Sequence, residues 1–282
     1  MQVDSFQAPG QAARAYYQRE GVVCLRQVIE PRWLECCRKG VDKSIAQPGQ
    51  FFRDYTSAGS PSRYTFEFWA WQNNPELRAL VLESSIGSLV AELLQADRLI
   101  MLMDQWLKRE AGSTNAAPWH HDEPYFDFFG GRKCVVWFPL EAMSLLEGLT
   151  FIGGSHQWGK LYRAQNFAER EPFDGDNQPY HETEAFTEHQ DRYLGWSMQP
   201  GDCVIFDFRT LHRATADQTA LDRTLRRMTL RYGDDDVLFK PRGSWTEELS
   251  THLQTLGQRA GKPINCELCP VVYPPSTSAA AT

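Results

Sequence analysis

The first hundred residues carry apolar positions at helical spacing, whereas the middle of the chain carries them in short unbroken runs. Residues 11–20 (Gln11 to Glu20) read as a short helix, and Gly21-Val22-Val23-Cys24-Leu25 as a strand. Glu30-Pro31-Arg32-Trp33-Leu34 opens a second helix, with proline in the first turn, where a missing N–H is harmless. An aromatic-rich stretch without an assigned element runs from Phe51 to Trp71. Asn74-Pro75-Glu76 joins a capping side chain to a first-turn proline and starts another helix. After Ser85, the residues Ile86, Leu89, Val90, Leu93 and Leu94 recur at i, i+3, i+4, i+7 and i+8, the stripe of a helix packed on one side.

Beyond about residue 97 the texture turns to β. Strands are predicted at Leu99–Met103, Cys134–Phe138, Leu149–Ile152, Cys203–Phe208 and Arg226–Tyr232. They are separated by Gly, Pro and Asp turns, and no helices alternate with them, which points to a sandwich or barrel rather than βαβ units. The expected architecture is mainly β with flanking helices in a single domain. A helix-rich part spans about 1–97, a β core about 98–240 and a C-terminal extension about 241–282. The polar, acidic loop from Tyr162 to Trp196 is long enough to serve as a lid or binding loop.

Composition narrows the function classes. Twelve per cent aromatic residues imply a substantial core. A net charge of −7 without a basic cluster argues against nucleic acid or an anionic membrane surface as partner. No apolar run reaches the roughly 20 residues of a membrane span. The start, Met1-Gln2-Val3-Asp4-Ser5, lacks the basic and apolar regions of a leader, so a soluble cytoplasmic protein is expected. Cys24, Cys134 and Cys203 lie in apolar runs and read as small hydrophobes. Cys266-Glu267-Leu268-Cys269 has neither the further ligands of a zinc site nor the βαβ setting of a redox motif.

The chemistry concentrates in Pro118-Trp119-His120-His121-Asp122-Glu123, with a third histidine, His212, 92 residues after His120. Two histidines and a carboxylate can cap one face of an iron(II) ion and leave the other open for a cosubstrate and dioxygen. On a strand, residues i and i+2 point the same way, so His120 and Asp122 can converge on one metal. His121 and Glu123 form a second such pair on the opposite face.

Several ordered segments together resemble the phytanoyl-CoA dioxygenase family of iron(II)/2-oxoglutarate oxygenases over nearly the full length. They are Tyr17–Leu25, Lys108–Ser113, Pro118–Asp122, Val136-Trp137-Phe138-Pro139-Leu140, Gly148–His156 and Gln199-Pro200-Gly201-Asp202 leading to His212. The resemblance implies a double-stranded β-helix in which His120, Asp122 and His212 hold iron(II), with 2-oxoglutarate and O2 as cosubstrates. His121 and Glu123 are then outward or supporting residues, and His156 a turn residue. A small organic molecule is the implied substrate, with a non-catalytic binding barrel or an acyl-CoA hydroxylase as alternatives.

The far carboxylate of 2-oxoglutarate calls for a buried guanidinium. The family spacing of about eleven residues after the distal histidine ranks Arg223 first. Arg227, paired with Thr229 two residues on, ranks second, because the final strand starts late, as after a short insertion. Arg223, Arg227 and Thr229 would share one strand face and Arg226 the other. Taurine dioxygenase-like enzymes use one arginine for the cosubstrate and another four residues later for an anionic group. Trp137 is expected to flank 2-oxoglutarate, and Gln105 or Lys108 to line the pocket. Tyr125, Phe126, Phe128 and Phe129 are candidates for a substrate mouth, and Arg209 for a substrate anion. A carboxylate at Asp122, where related halogenases have a small residue, favours oxygenation. Asp122→Ala should abolish substrate oxidation in a turnover assay; unchanged turnover would show that the triad is misplaced.

Overall fold

The computed structural model describes residues 3–56, 59–60, 62–114, 117–167, 169, 171–173, 178–215 and 221–275. Met1 and Gln2 of the N-terminus, residues 174–177 of the long loop, residues 216–220 after His212 and residues 276–282 of the C-terminal extension lie outside these.

The N-terminal third forms α1 (Gln11–Glu20), β1 (Val22–Leu25), α2 (Pro31–Ala46), β2 (Phe52–Asp54), β3 (Tyr64–Phe68), α3 (Pro75–Glu83) and α4 (Ile86–Leu94). The central part forms β4 (Leu99–Arg109), β5 (Phe128–Phe129), β6 (Lys133–Pro139), β7 (Leu149–Ile152), β8 (Tyr193–Leu194), β9 (Cys203–Asp207), β10 (His212–Ala214) and β11 (Leu225–Gly233). Then follow β12 (Leu238–Phe239), α5 (Glu247–Thr255) and β13 (Val271–Tyr273).

Local chemistry accounts for the helix ends. Asn74 accepts from the Leu77 amide, supplying one of the partners that a helix start lacks. Gly21 closes α1 rather than opening the strand. It sits in the left-handed region at φ 75° and donates to the Tyr17 carbonyl. A Cβ there would lie 2.3 Å from His156 Nδ1, so the close packing also demands glycine.

A large sheet runs β1-β9-β6-β11-β4-β3-β2, with β13 also paired to β4; a small sheet runs β10-β7-β8, and β5 pairs with β12. This is a mainly β, jelly-roll arrangement of a large and a small sheet. The helices share one core with the large sheet: α1 lies on β1, and α4 on β4 and β13.

The central strand positions the site. Met228, Leu230 and Tyr232 of β11 point into the core, while Arg227, Thr229 and Arg231 point into a cavity. Arginines on a central strand are tolerable only where their face lines a polar site. The flanking strands alternate likewise, with Gln105 and Leu107 of β4 and Val135 and Trp137 of β6 facing the cavity. The aromatic-rich stretch is not irregular. It contains β2 and β3, and Tyr64, Phe66 and Phe68 turn one face of β3 to the cavity while Thr65 and Glu67 turn away.

Candidate metal centre and its cavity

His120, Asp122 and His212 are buried, and one ligand atom from each lies within 4.8 Å of the other two. His120 and His212 Nε2 each stand 3.7 Å from Asp122 Oδ1. Their other ring nitrogens are committed: His120 Nδ1 donates to the Pro118 carbonyl at 2.8 Å and His212 Nδ1 to the Thr210 carbonyl at 2.9 Å. A carbonyl only accepts, so each Nδ1 carries the proton and each Nε2 presents a lone pair to the centre. Burial and the neighbouring His212 push His120 down to about 3, and burial lowers His212 as well, so both rings are neutral at pH 7. Burial favours the neutral acid at Asp122, but the positive charge of Arg231 beside it outweighs this and holds the carboxyl below its ordinary value. Two neutral imidazoles and one carboxylate, pre-aimed at a common point, fit a divalent iron ion.

The convergence does not arise from strand alternation. His120 makes an isolated antiparallel bridge with His212, extending the small sheet by one residue. Asp122 has helical dihedrals, φ −72° and ψ −22°, and caps a single 3-10 turn at Glu123–Tyr125. The main chain bends there, and a guanidinium fixes the carboxylate instead. Arg231 Nε donates to Asp122 Oδ2 at 3.0 Å, leaving Oδ1 toward the histidines. Arg231 Nη1 donates to Gln105 Oε1 at 3.1 Å, and the guanidinium lies 4.3 Å from the Phe126 ring centre. The sequence reading missed Arg231. The parity of β11 was its signal, since 227, 229 and 231 share a face.

The alternate residues of the loop work behind the centre. His121 Nε2 accepts from the Tyr162 amide at 3.0 Å. Glu123 is buried between Lys133 and Arg242, 3.2 Å from each. Arg242 also donates to the Phe126 carbonyl at 2.7 Å, and Asp127 accepts from the Arg242 amide and the Ser250 hydroxyl. Trp245 Nε1 donates to the Pro124 carbonyl at 3.0 Å. These bonds dock the C-terminal segment, so that Trp245 and Leu249 become cavity wall. The long loop is tied down similarly: Tyr125 Oη donates to the Gln165 carbonyl at 3.1 Å and accepts from its amide at 3.0 Å.

The cavity, about 210 Å³, brings the triad together with Gln105, Tyr125, Phe126, Trp137, Arg227, Thr229 and Arg231. Arg227 is buried, lies 5.8 Å from the Trp137 ring centre and meets Tyr64. Thr229 sits opposite Trp137 in the β11–β6 register.

Arg223 corrects the expectation that ranked it first. It precedes β11, is exposed, and is held at the surface by Glu147, with Nε at 3.0 Å from Oε1, and by the Ala142 carbonyl. Phe128 is fully buried in the core, outside the cavity lining. Phe129 also lies off it. Arg209 is half exposed and 4.0 Å from Glu123, behind the centre. Lys108 pairs with Glu110 at 2.9 Å and does not line the cavity. His156 meets the Gln18 carbonyl at 3.2 Å, away from the triad.

Two outcomes are expected. Arg227→Ala should raise the 2-oxoglutarate concentration needed for half-maximal turnover by roughly 10²-fold, the cost of a lost charge-assisted pair, while Arg223→Ala leaves it unchanged; steady-state titration separates them. Arg231→Gln should weaken iron(II) binding about 10–100-fold, as removal of a ligand-orienting partner does. Anaerobic competition with a chromophoric chelator measures this, and unchanged affinity would show that Arg231 does not hold Asp122 for the metal.

A profile of the phytanoyl-CoA dioxygenase (PhyH) family matches residues 17–225. A search of curated proteins finds no significant match. Among solved structures, the non-heme alpha ketoglutarate dependent carbocyclase SnoK from nogalamycin biosynthesis is similar with a TM-score of 0.73 and 21% identity, over 93% of this chain and 96% of its own. The epimerase SnoN, in complex with Fe3+, alpha ketoglutarate and nogalamycin RO, gives 0.73 and 19%, over 93% and 98%. EvdO2 from Micromonospora carbonacea var. aurantiaca, complexed with 2-oxoglutarate, gives 0.58 and 17%, over 86% and 96%. At these identities the likeness speaks to the fold, while the family profile spans the triad and most of the chain. The chain belongs to the phytanoyl-CoA dioxygenase (PhyH) family.

Proposed function

We propose that this protein is an iron(II)/2-oxoglutarate-dependent oxygenase that hydroxylates an unactivated C–H of a small organic metabolite. The observation that carries the reading is the convergence of His120 Nε2, His212 Nε2 and Asp122 Oδ1, all buried, in the wall of a cavity. Bound there with 2-oxoglutarate and dioxygen, iron(II) supplies an oxidant strong enough for such a C–H, and the cosubstrate leaves as succinate and CO2. His120, Asp122 and His212 hold the metal. Arg227, with Thr229, takes the far carboxylate of 2-oxoglutarate, and Trp137 flanks it. Arg231 keeps one oxygen of Asp122 away from the metal, so that the carboxylate occupies a single position. Tyr125 and Phe126 stand where substrate enters and shield the centre from bulk water.

Family membership supports the cofactor assignment. The similar structures are described as a carbocyclase and an epimerase of nogalamycin biosynthesis, which favours secondary metabolism as the setting. They also supply a second reading, in which removal of the same hydrogen atom ends in ring closure or inversion rather than an alcohol. We read residues 1–282 as one catalytic unit, because the N-terminal helices share its core and the C-terminal segment walls its cavity. Among the described residues no helix is long and apolar enough to cross a membrane.

Anaerobic addition of iron(II) and then 2-oxoglutarate tests the assignment. A visible iron-to-keto-acid charge-transfer band is expected, and its absence from folded protein would overturn the reading.

A further inference from the structure

Two cysteines that the triad does not use stand in contact just before β13. Cys266 and Cys269 close a turn in which the Cys269 amide donates to the Cys266 carbonyl at 3.0 Å. Such a turn holds its end Cα atoms within about 7 Å, the limit for bridging two cysteines without backbone movement. The sulfurs already meet: the Cys269 thiol donates to the Cys266 sulfur, and the Leu268 and Cys269 amides donate to that same sulfur.

The two thiols differ. Cys266 is partly exposed and Cys269 is buried. The bond from Cys269 draws the Cys266 thiol down to about 7, against burial and the charge of Glu267. Burial, and then the same bond, push Cys269 up. Burial also pushes up Cys24, Cys37, Cys134 and Cys203, as it does for structural thiols. The sequence offers this CxxC no βαβ setting, yet the asymmetry of a redox pair is present: one accessible sulfur with thiolate character beside one sheltered thiol. β4 backs the pair. The Cys269 sulfur lies 3.4 Å from the Leu102 carbonyl, and the Met101 amide donates to the Pro270 carbonyl at 2.9 Å. Cys269 is thereby fixed from behind, and Cys266 is the sulfur of the pair that solvent reaches. A bridge across so short a loop restricts the unfolded chain little, so its role would be chemical rather than that of a staple.

We propose that Cys266 and Cys269 form a reversible thiol oxidation site, with Cys266 as the nucleophile, Cys269 as the resolving thiol and a hydroperoxide as the oxidant. The Cys266 thiolate attacks one oxygen of the peroxide. The O–O bond breaks, the departing oxygen leaves as hydroxide or alkoxide and takes up a proton, and Cys266 becomes a sulfenic acid. The Cys269 sulfur then attacks the Cys266 sulfur. The S–O bond breaks, the Cys269 proton goes to the leaving hydroxide, and a disulfide and water result. The two thiols lose two electrons and two protons, and the peroxide is reduced to water and an alcohol, or to water alone. The step needs no metal and does not rest on the oxygenase reading.

The test uses the full-length protein, reduced and freed of metal by a chelator, with hydrogen peroxide as the probe. After a small molar excess of peroxide, free thiols are alkylated and the peptides are read by mass spectrometry. The peptide carrying both cysteines should lose both alkyl labels and be lighter by two hydrogen atoms, and dithiothreitol should restore both thiols. Cys36, also partly exposed, should still be alkylated at that dose. Cys269→Ser should stop the reaction at a Cys266 sulfenic acid that dimedone captures. Cys266→Ser should leave the Cys269 thiol intact, and circular dichroism checks that both variants fold. Retention of both labels, oxidation of Cys266 only to sulfinic or sulfonic acid, or equal loss at Cys36 would overturn the proposal, and each is read on the unsubstituted protein. Loss of the Cys269 thiol in folded Cys266→Ser protein would overturn it as well.

Discussion

An ionised carboxylate sealed from water at Asp122 is the constraint around which this structure is arranged. Burial alone would neutralise it, and a neutral acid is a poor metal ligand. Arg231 at 3.0 Å keeps it charged. A buried guanidinium has needs of its own, met here by Gln105 Oε1 and the face of Phe126. Two strands and the metal loop are thereby tied to one ion pair, since Gln105 comes from β4, Arg231 from β11 and Phe126 from just after the 3-10 turn. The pair also partitions the carboxylate, with Oδ2 to the arginine and Oδ1 to the histidine side. Removing one member of such a buried pair leaves an uncompensated charge, so its value lies more in geometry than in net stability.

The metal loop works on both sides. His120 and Asp122 face the centre, while His121 and Glu123 fasten the two segments that cover it. The Tyr162 amide reaches His121 at the start of the long loop, and Arg242 reaches Glu123 at the start of the C-terminal segment. Ionic contacts this deeply buried are screened little by solvent. The walls that meet substrate are thus built from the same short peptide that holds the metal ligands.

Much of this was legible in the sequence, and the omissions have physical reasons. α1 and the strand at Leu149–Ile152 coincide with their predicted ranges, and α3 and α4 begin where a cap or an apolar stripe announced them. Those elements bury one face or a whole short run, which patterning records directly. β3 escaped because its outward positions, Thr65 and Glu67, are also buried, Glu67 accepting from Trp106 Nε1 at 3.2 Å, and its inward ones are aromatic. The histidines and Asp122 were identifiable by type and spacing, but not the bend that joins them. Asp122 leaves the extended conformation, and its partner lies 109 residues away, beyond any local pattern. Arg223 was favoured by counting from His212. Counting fails where chain length between elements varies, whereas parity along a strand does not.

Parity also bears on the proposed use of two arginines. A four-residue interval was expected to link 223 with 227, one for the cosubstrate and one for an anion. The interval is present one step later, at 227 and 231, both on the cavity face of β11. On a strand rising about 3.3 Å per residue, four residues separate the two guanidinium anchor points by roughly 13 Å. That span exceeds the reach of a five-carbon dicarboxylate between its own ends, so one such molecule does not require both arginines at full extension. The division of labour follows from position. Arg231 lies at the triad, and the anion it meets is the protein's own Asp122. Arg227 lies farther along the strand beside Trp137 and Tyr64, and Asp122 is the one carboxylate among the described lining residues. A permanently charged group buried away from the nearest lining carboxylate is stabilised best by an anion from outside the chain, which is the ground for the proposed contact with a dicarboxylate cosubstrate.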